Sequence, residues 1–136
     1  MTPDLSTAVE AAEAWVDDLM RALGWHDRQR ARSALLASLH ALRDCLGLDE
    51  AVYAGAQLPP LLRGLYYDGW HPRAHKLTSH DAFLERIRDG VHHDVAIDAE
   101  QVARAVLALI AQRMTPAELE DAKAATPPAI HHFWPD

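Results

Sequence analysis

The sequence is poor in cysteine, glycine and aromatic residues, and it contains no long apolar run. A single cysteine, Cys45, excludes an internal disulfide and is typical of a reducing compartment, so we expect a cytoplasmic protein. The 6 glycines are scattered and form no phosphate-binding or dinucleotide-binding loop. The most apolar stretch, 105–111, is far shorter than the roughly 18 residues that a membrane span needs, so we expect no membrane association.

Positive charge is also scarce. The chain has 13 Lys and Arg against 20 Asp and Glu, a formal net charge of −7. Unspecific nucleic-acid binding requires cationic side chains that displace phosphate counterions, so we expect no nucleic-acid partner. Residues 1–20 contain neither Lys nor Arg and no apolar core, a pattern that predicts no secretory signal.

What is present is enough for one hydrophobic core. The chain has 136 residues, 49% of them hydrophobic, which predicts a single compact domain over 1–136. Apolar residues recur at helical spacing, as in the stripe of Leu35, Leu39, Leu42 and Leu46, and no segment shows the alternation of a strand. Helix starts are indicated at Thr7, Asp27, Asp49, Thr78, Asp98 and Thr115. The fold class is predicted to be all-α.

The two halves of the chain align without a gap when one is shifted by 68 positions. The shift pairs Trp15 with Phe83, Leu42 with Ile110, Leu46 with Met114, Ala54 with Ala122, Pro59-Pro60 with Pro127-Pro128, and Tyr66 with Trp134. This predicts two tandem helical repeats, at about 5–67 and about 78–134, joined by a linker at about 68–77. One repeat alone would leave an apolar stripe in water, so we expect the two to pack around a pseudo-two-fold axis.

The end of the first predicted repeat carries motifs that resemble those of a known family. After the alanine- and leucine-rich helix 34–46 come Glu50-Ala51, the turn Gln57-Leu58-Pro59 and the segment Tyr67-Asp68-Gly69-Trp70. This order of motifs resembles the bacterial family catalogued as domain of unknown function 2267. The resemblance implies a small helical protein and supplies no established activity or catalytic residue.

Two positions depart from the pattern of that family. Cys45 stands where the family usually has Arg, although Arg113-Met114 keeps the corresponding pair in the second half. Thr126-Pro127 replaces the expected Leu-Pro, so the second copy has diverged more than the first.

Histidine is the most conspicuous feature of the composition, with 9 copies. The doublets His92-His93 and His131-His132 are candidate ligands for zinc or a similar transition metal, because imidazole is a common zinc ligand. The chain has no His-Glu-x-x-His and no Glu followed three residues later by His, the pairs that helical metal enzymes use. Surface histidines without a ligand are the favoured interpretation, so we expect no cofactor, and the metal site is the alternative.

Aromatic residues gather at the ends of both repeats. Arg63, Tyr66, Tyr67 and Trp70, with Phe133 and Trp134 at the C-terminus, form a candidate surface for a protein partner or for self-association. The alternative is that these rings fill the seam between the repeats and dock back onto the fold.

Five residues carry structural expectations. Trp15, Phe83 and Cys45 lie in apolar stripes and are predicted to be core residues. Gln57 is expected to hydrogen-bond backbone groups left open near Pro59 and Pro60, and Arg63 is expected to pair with an acid.

No catalytic motif is recognisable, so the favoured function is a cytoplasmic helical protein-interaction module, a scaffold or adaptor without enzymatic activity. A histidine-based metal-binding protein or metal-dependent enzyme is the alternative. A pH or small-ligand sensor is the third hypothesis, because many histidines titrate near neutrality.

Overall fold

The computed structural model describes residues 4–136, and within that range the regular structure is helical, with no strand. The helices are α1 (Leu5–Leu23), α2 (Arg28–Asp44), α3 (Leu48–Ala56), α4 (Pro60–Tyr67), α5 (His80–Gly90), α6 (Ala99–Ala111), α7 (Pro116–Ala125) and a C-terminal 3-10 helix (Pro128–Phe133). The all-α prediction is confirmed. None of the helices in this range combines the length and apolar character that a bilayer crossing requires.

Side-chain caps fix several helix starts where the sequence predicts them. Asp27 caps α2 and Asp98 caps α6, each accepting hydrogen bonds from backbone N–H groups of the first turn. Thr115 and Glu118 form a reciprocal capping box at the start of α7.

Two starts differ from the prediction because another polar side chain is better placed. Helix α1 begins earlier than predicted, since the carboxylate of Asp4 accepts the backbone N–H of Thr7 at 2.8 Å. Ser79, and not Thr78, caps α5. A further helix, α4, follows α3 and is begun by Pro60, whose fixed φ suits the first helical position.

The helices recur at the spacing of the predicted duplication. Leu48, the start of α3, corresponds to Pro116, the start of α7, and Pro60 corresponds to Pro128. Helix α2 packs on α5, and α6 packs on α1, which is the exchange of partners that a two-fold relation would produce. The two-fold axis itself and the repeat boundaries stay predictions.

Helices α2 and α6 carry the longest buried faces and form the middle of the core. Small residues let α2 and α5 approach closely: a Cβ added at Gly90 would lie 2.5 Å from the Cβ of Ala37. Trp15, Phe83 and Cys45 are buried, which confirms their prediction as core residues.

A buried arginine fixes the chain where the first repeat ends. Arg43, in the last turn of α2, is only 2% exposed. Its Nη1 donates to the backbone carbonyls of Tyr66 at 2.8 Å and Asp68 at 2.9 Å, and its Nε donates to Asp44 Oδ1 at 2.8 Å. The guanidinium therefore holds the end of α4 and the start of the 68–79 segment against α2.

Asp44 extends this contact to the second repeat. Its Oδ2 accepts from Nε of Arg86 on α5 at 3.1 Å, and its backbone carbonyl accepts the N–H of Leu77 at 3.0 Å. Segment 68–79 contains no helix, and both of its ends are tied to this pair of neighbouring residues. Arg43 and Asp44 together set the path of the connection.

We predict that Arg43→Met lowers the free energy of unfolding by about 3 kcal/mol, because it leaves buried carbonyls without their donor and Asp44 without its nearest cation. Urea unfolding followed by circular dichroism measures the change. Arg88→Met is the matched control, since Arg88 is exposed on α5, and it is expected to change stability by less than about 0.5 kcal/mol. Equal effects of the two substitutions would contradict this role of Arg43.

Candidate functional site

A large cavity lies between helices α3 and α7, above α2 and α6. Its volume is about 490 Å³. The residues that line it are Trp15, Leu39, Leu42, Leu46, Asp49, Glu50, Tyr53, Ala54, Gln57, Leu58, Tyr66, Ile110, Arg113, Met114, Asp121, Ala122, Ala125, Thr126 and Trp134. Most of them are apolar, so the interior favours an apolar occupant.

The two halves of the chain contribute positions separated by 68 residues to this cavity. The pairs are Leu42 and Ile110, Leu46 and Met114, Tyr53 and Asp121, Ala54 and Ala122, Gln57 and Ala125, Leu58 and Thr126, and Tyr66 and Trp134. The cavity therefore lies between the two halves of the chain, and neither half contains it alone.

Two aromatic rings at corresponding positions are held by hydrogen bonds. The Tyr66 hydroxyl donates to the carbonyl of Ala51 at 2.8 Å, and the indole Nε1 of Trp134 donates to Oγ1 of Thr126 at 3.1 Å. Both rings are buried, and burial raises the pKa of Tyr66 well above its usual value. They form a fixed part of the cavity wall.

Small residues keep the space between α3 and α7 open. Ala54 on α3 and Ala122 on α7 both line it, and α7 has no fully buried side chain. The hydroxyl of Tyr53 on α3 lies 3.4 Å from Oε2 of Glu118 on α7, which joins the two helices across the gap. Longer apolar side chains at the alanine positions would close the cavity.

The rim carries negative charge. Asp49 and Glu50 in the first turn of α3 and Asp121 on α7 line the cavity and are exposed to solvent. The basic residue of the lining, Arg113, stacks its guanidinium 4.0 Å from the ring centre of Trp15 and donates to Asp18 at 2.8 Å. An apolar interior thus meets an acidic rim.

The structure divides the predicted aromatic surface in two. Tyr66, Phe133 and Trp134 are buried in the core, so direct contact with a partner is closed to them in this fold. Phe133 packs at 5.7 Å from Phe83, and the C-terminal aromatics dock back onto the fold, as the alternative prediction has it.

Tyr67 and Trp70 remain half-buried at the surface. Their ring centres are 5.5 Å apart, and Tyr67 meets Tyr66 edge to face at 5.0 Å. The part of the predicted surface that stays accessible is therefore the outer side of α4 and the residues just after it.

The expectations for Arg63 and Gln57 are corrected. Arg63 pairs with no acid in the described structure; its guanidinium donates to the carbonyls of Gly55 at 3.1 Å and Leu58 at 2.9 Å, at the end of α3. Gln57 is exposed, and within residues 4–136 its side chain has no protein hydrogen-bond partner. Arg63 makes the backbone hydrogen bonds that were expected of Gln57, because its planar guanidinium can donate to several carbonyls at once.

The predicted histidine ligands lie in different surroundings. His92 and His93 adopt left-handed backbone conformations after α5, and His93 Nε2 lies 2.7 Å from Asp89 Oδ1. His131 contacts the carbonyl of Thr126 at 2.8 Å, and His132 stacks on His80 with ring centres 5.2 Å apart. These contacts give the doublets separate neighbours.

Among the described residues, the group whose possible ligand atoms lie within 4.8 Å of one another is Glu85, Asp89 and His93. All three are exposed, and neither His131 nor His132 belongs to the group. A metal site shared by the two doublets stays a prediction.

The cysteine is chemically quiet. Burial is the main cause that raises the pKa of the Cys45 thiol to about 12, so the reactive thiolate is scarce at neutral pH. Sequence reasoning also missed His40 on α2, whose Nε2 donates to the carbonyl of Leu65 at 2.8 Å.

Comparison with known families adds one finding. A family model described as "Uncharacterized conserved protein (DUF2267)" matches residues 12–133. The match spans both halves of the chain and all of the cavity lining except Trp134. No curated protein matches the chain.

We predict that His40 makes the protein less stable as the pH falls. Burial, with Arg43 and Arg86 nearby, lowers the pKa of His40, despite the carbonyl of Leu65 and the charge of Asp44. Below the unfolded pKa of about 6.5, the unfolded chain binds a proton that the folded chain rejects, so stability drops with falling pH.

Urea unfolding at about pH 7.5 and pH 5.5 tests this. The wild type is expected to lose more stability on acidification than His40→Gln, which removes the titrating group. The other histidines are present in both proteins, so their contributions cancel when the two losses of stability are subtracted. An identical loss in the two proteins would show that His40 does not contribute.

Proposed function

The chain belongs to the DUF2267 family of uncharacterised conserved proteins, as its motifs predict, and we propose that it is a non-catalytic protein that binds a small apolar molecule between its two repeats. This proposal takes up the small-ligand hypothesis raised by the sequence. It places the ligand in the cavity between α3 and α7, away from the histidines.

The observation that carries the proposal is the cavity itself. Its volume of about 490 Å³ falls within the range of roughly 300–1,000 Å³ typical of small-molecule sites. An unfilled apolar space forfeits packing contacts, and a bound apolar molecule would restore them. Binding of this kind stabilises the folded state in proportion to ligand concentration and affinity.

The lining supports binding and gives no support to catalysis. Among the described residues around the cavity there is no histidine, cysteine, serine or lysine. The hydroxyl of Thr126 is engaged, donating to the carbonyl of Lys123 at 2.7 Å and accepting from Trp134. The proposal therefore assigns no reaction to this site.

The test uses N-phenyl-1-naphthylamine, a neutral fluorophore whose emission rises in apolar surroundings. We predict saturable binding by the wild type and a Kd raised about tenfold by Ala122→Phe, whose ring occupies the cavity. Losing about 60 Å² of buried probe surface corresponds to roughly 1.5 kcal/mol, or about tenfold in Kd.

Ala124→Phe is the matched control, because Ala124 is exposed on the same helix and does not line the cavity. It is expected to leave Kd unchanged. Thermal unfolding adds a second measurement: a ring that fills empty space leaves Tm unchanged or higher, whereas overpacking lowers it. A lower Tm for Ala122→Phe, or equal Kd values for both variants, would contradict the proposal.

A second candidate function is the protein-interaction module favoured by the sequence. Leu61 and Leu65, one turn apart on α4, are 40% and 39% exposed, and half-buried Tyr67 and Trp70 follow them. Apolar groups at helical spacing on an exposed face suit association with a second copy of the chain. The cytoplasm remains the proposed location, on the basis of the single cysteine.

For this second candidate we predict self-association that Leu61→Ser/Leu65→Ser abolishes. Analytical ultracentrifugation over a concentration series is the measurement. Leu5→Ser is the control, because Leu5 is a fully accessible leucine on α1, outside this face. A wild type that sediments as a monomer at every concentration would remove self-association as the function of the α4 face.

A further inference from the structure

We propose that the molecule bound in this cavity is a cationic amphiphile, a compound with an apolar body and a positively charged amine or ammonium group. The inference rests on the proposed function and specifies its ligand class. The ligand class follows from the charge at the rim, because an apolar interior alone does not select between a cation, a neutral compound and an anion.

Two of the three rim carboxylates have no cation close to them. Within residues 4–136, Asp49, Glu50 and Asp121 take part in no ion pair and accept no side-chain hydrogen bond, whereas Glu13, Asp17 and Asp18 of α1 each pair with arginine. The ammonium of Lys76 lies near the carboxylate of Glu50, beside Gly47. The guanidinium of Arg113 faces the same cavity, but Asp18 and the carbonyl of Leu109 already accept from it. Among the described residues, Asp49 and Asp121 therefore present negative charge at the rim without an ion-pair partner.

Helix stabilisation explains only part of this charge. Asp49 and Glu50 lie in the first turn of α3, where a carboxylate is favourable toward the helix dipole. Asp121 lies in the middle of α7, where that effect is absent. It corresponds to Tyr53 in the first repeat, so the seam places an acid on one side of the opening and a phenol on the other.

The ligand chemistry follows from these positions. An apolar body placed among Leu42, Ile110 and Met114 would bring a terminal charged group to the rim, beside Asp49 and Asp121. A cation there is attracted by the carboxylates and an anion is repelled, while the tail contacts are the same. We therefore expect the cavity to prefer a cation over an equally long anion by about tenfold or more.

The experiment compares three ten-carbon chains as competitors of bound N-phenyl-1-naphthylamine. They are decyltrimethylammonium, decanol and decyl sulfate, each used below its micelle concentration. The expected order of displacement by the wild type is the cation first, the alcohol second and the anion last. The cation preference should shrink toward unity in 1 M NaCl, where the Debye length falls to about 3 Å.

Matched variants separate the rim from the overall negative charge. Asp49→Asn/Asp121→Asn is expected to reduce the cation preference to about threefold or less. Asp68→Asn/Asp81→Asn removes the same number of charges at exposed positions away from the cavity and should keep the preference. Circular dichroism confirms that both double variants are folded.

The outcomes distinguish the two levels of the proposal. If the fluorophore does not bind the wild type, both the binding function and the ligand class are wrong. If it binds but the three chains displace it equally, or if both double variants lose the preference alike, the cationic ligand is wrong and the apolar site stands. The salt dependence uses the wild type alone, so a cation preference that persists in 1 M NaCl would overturn the electrostatic explanation even where a variant is unstable.

Discussion

The position of α4 and of the connection after it depends on one buried cation. Arg43 holds the carbonyls of Tyr66 and Asp68, and the neighbouring Asp44 holds Arg86 of α5. Tyr66 is also part of the cavity wall, so the contact that orders the chain after α4 also positions a ring of the candidate site. Arg43 and Asp44 therefore fix both the connection between the two halves of the chain and part of the cavity wall. A buried charge of this kind is costly unless all of its hydrogen bonds are made.

In the second half of the chain, different side chains hold the ring that corresponds to Tyr66. The position that corresponds to Arg43 is Ala111, which cannot donate a hydrogen bond from its side chain. There the ring corresponding to Tyr66, Trp134, is held by Thr126, itself one of the departures from the family pattern. Two different sets of side chains thus place corresponding aromatic rings in the cavity wall.

The sequence was sufficient to predict the helices but not to predict the cavity between them. Periodic leucines and capping residues predicted most helices, because spacing and local hydrogen bonding decide them. Arg43 lies four residues after Leu39, on the buried stripe, and this placement was the available signal of its burial. Whether Ala54 and Ala122 face an empty volume depends on the distance between helices, which no spacing rule supplies. The abundance of histidine drew attention to a metal, while the structure gives the two doublets separate neighbours.

The space between α3 and α7 is lined mostly by apolar residues, and the proposed function requires that a ligand can enter it. Diffraction from crystals held under xenon pressure tests this requirement, since xenon enters dry apolar cavities and scatters anomalously. We expect an anomalous peak between α3 and α7, close to Ala54 and Ala122. A density map with side chains filling that space, and no xenon there, would contradict it.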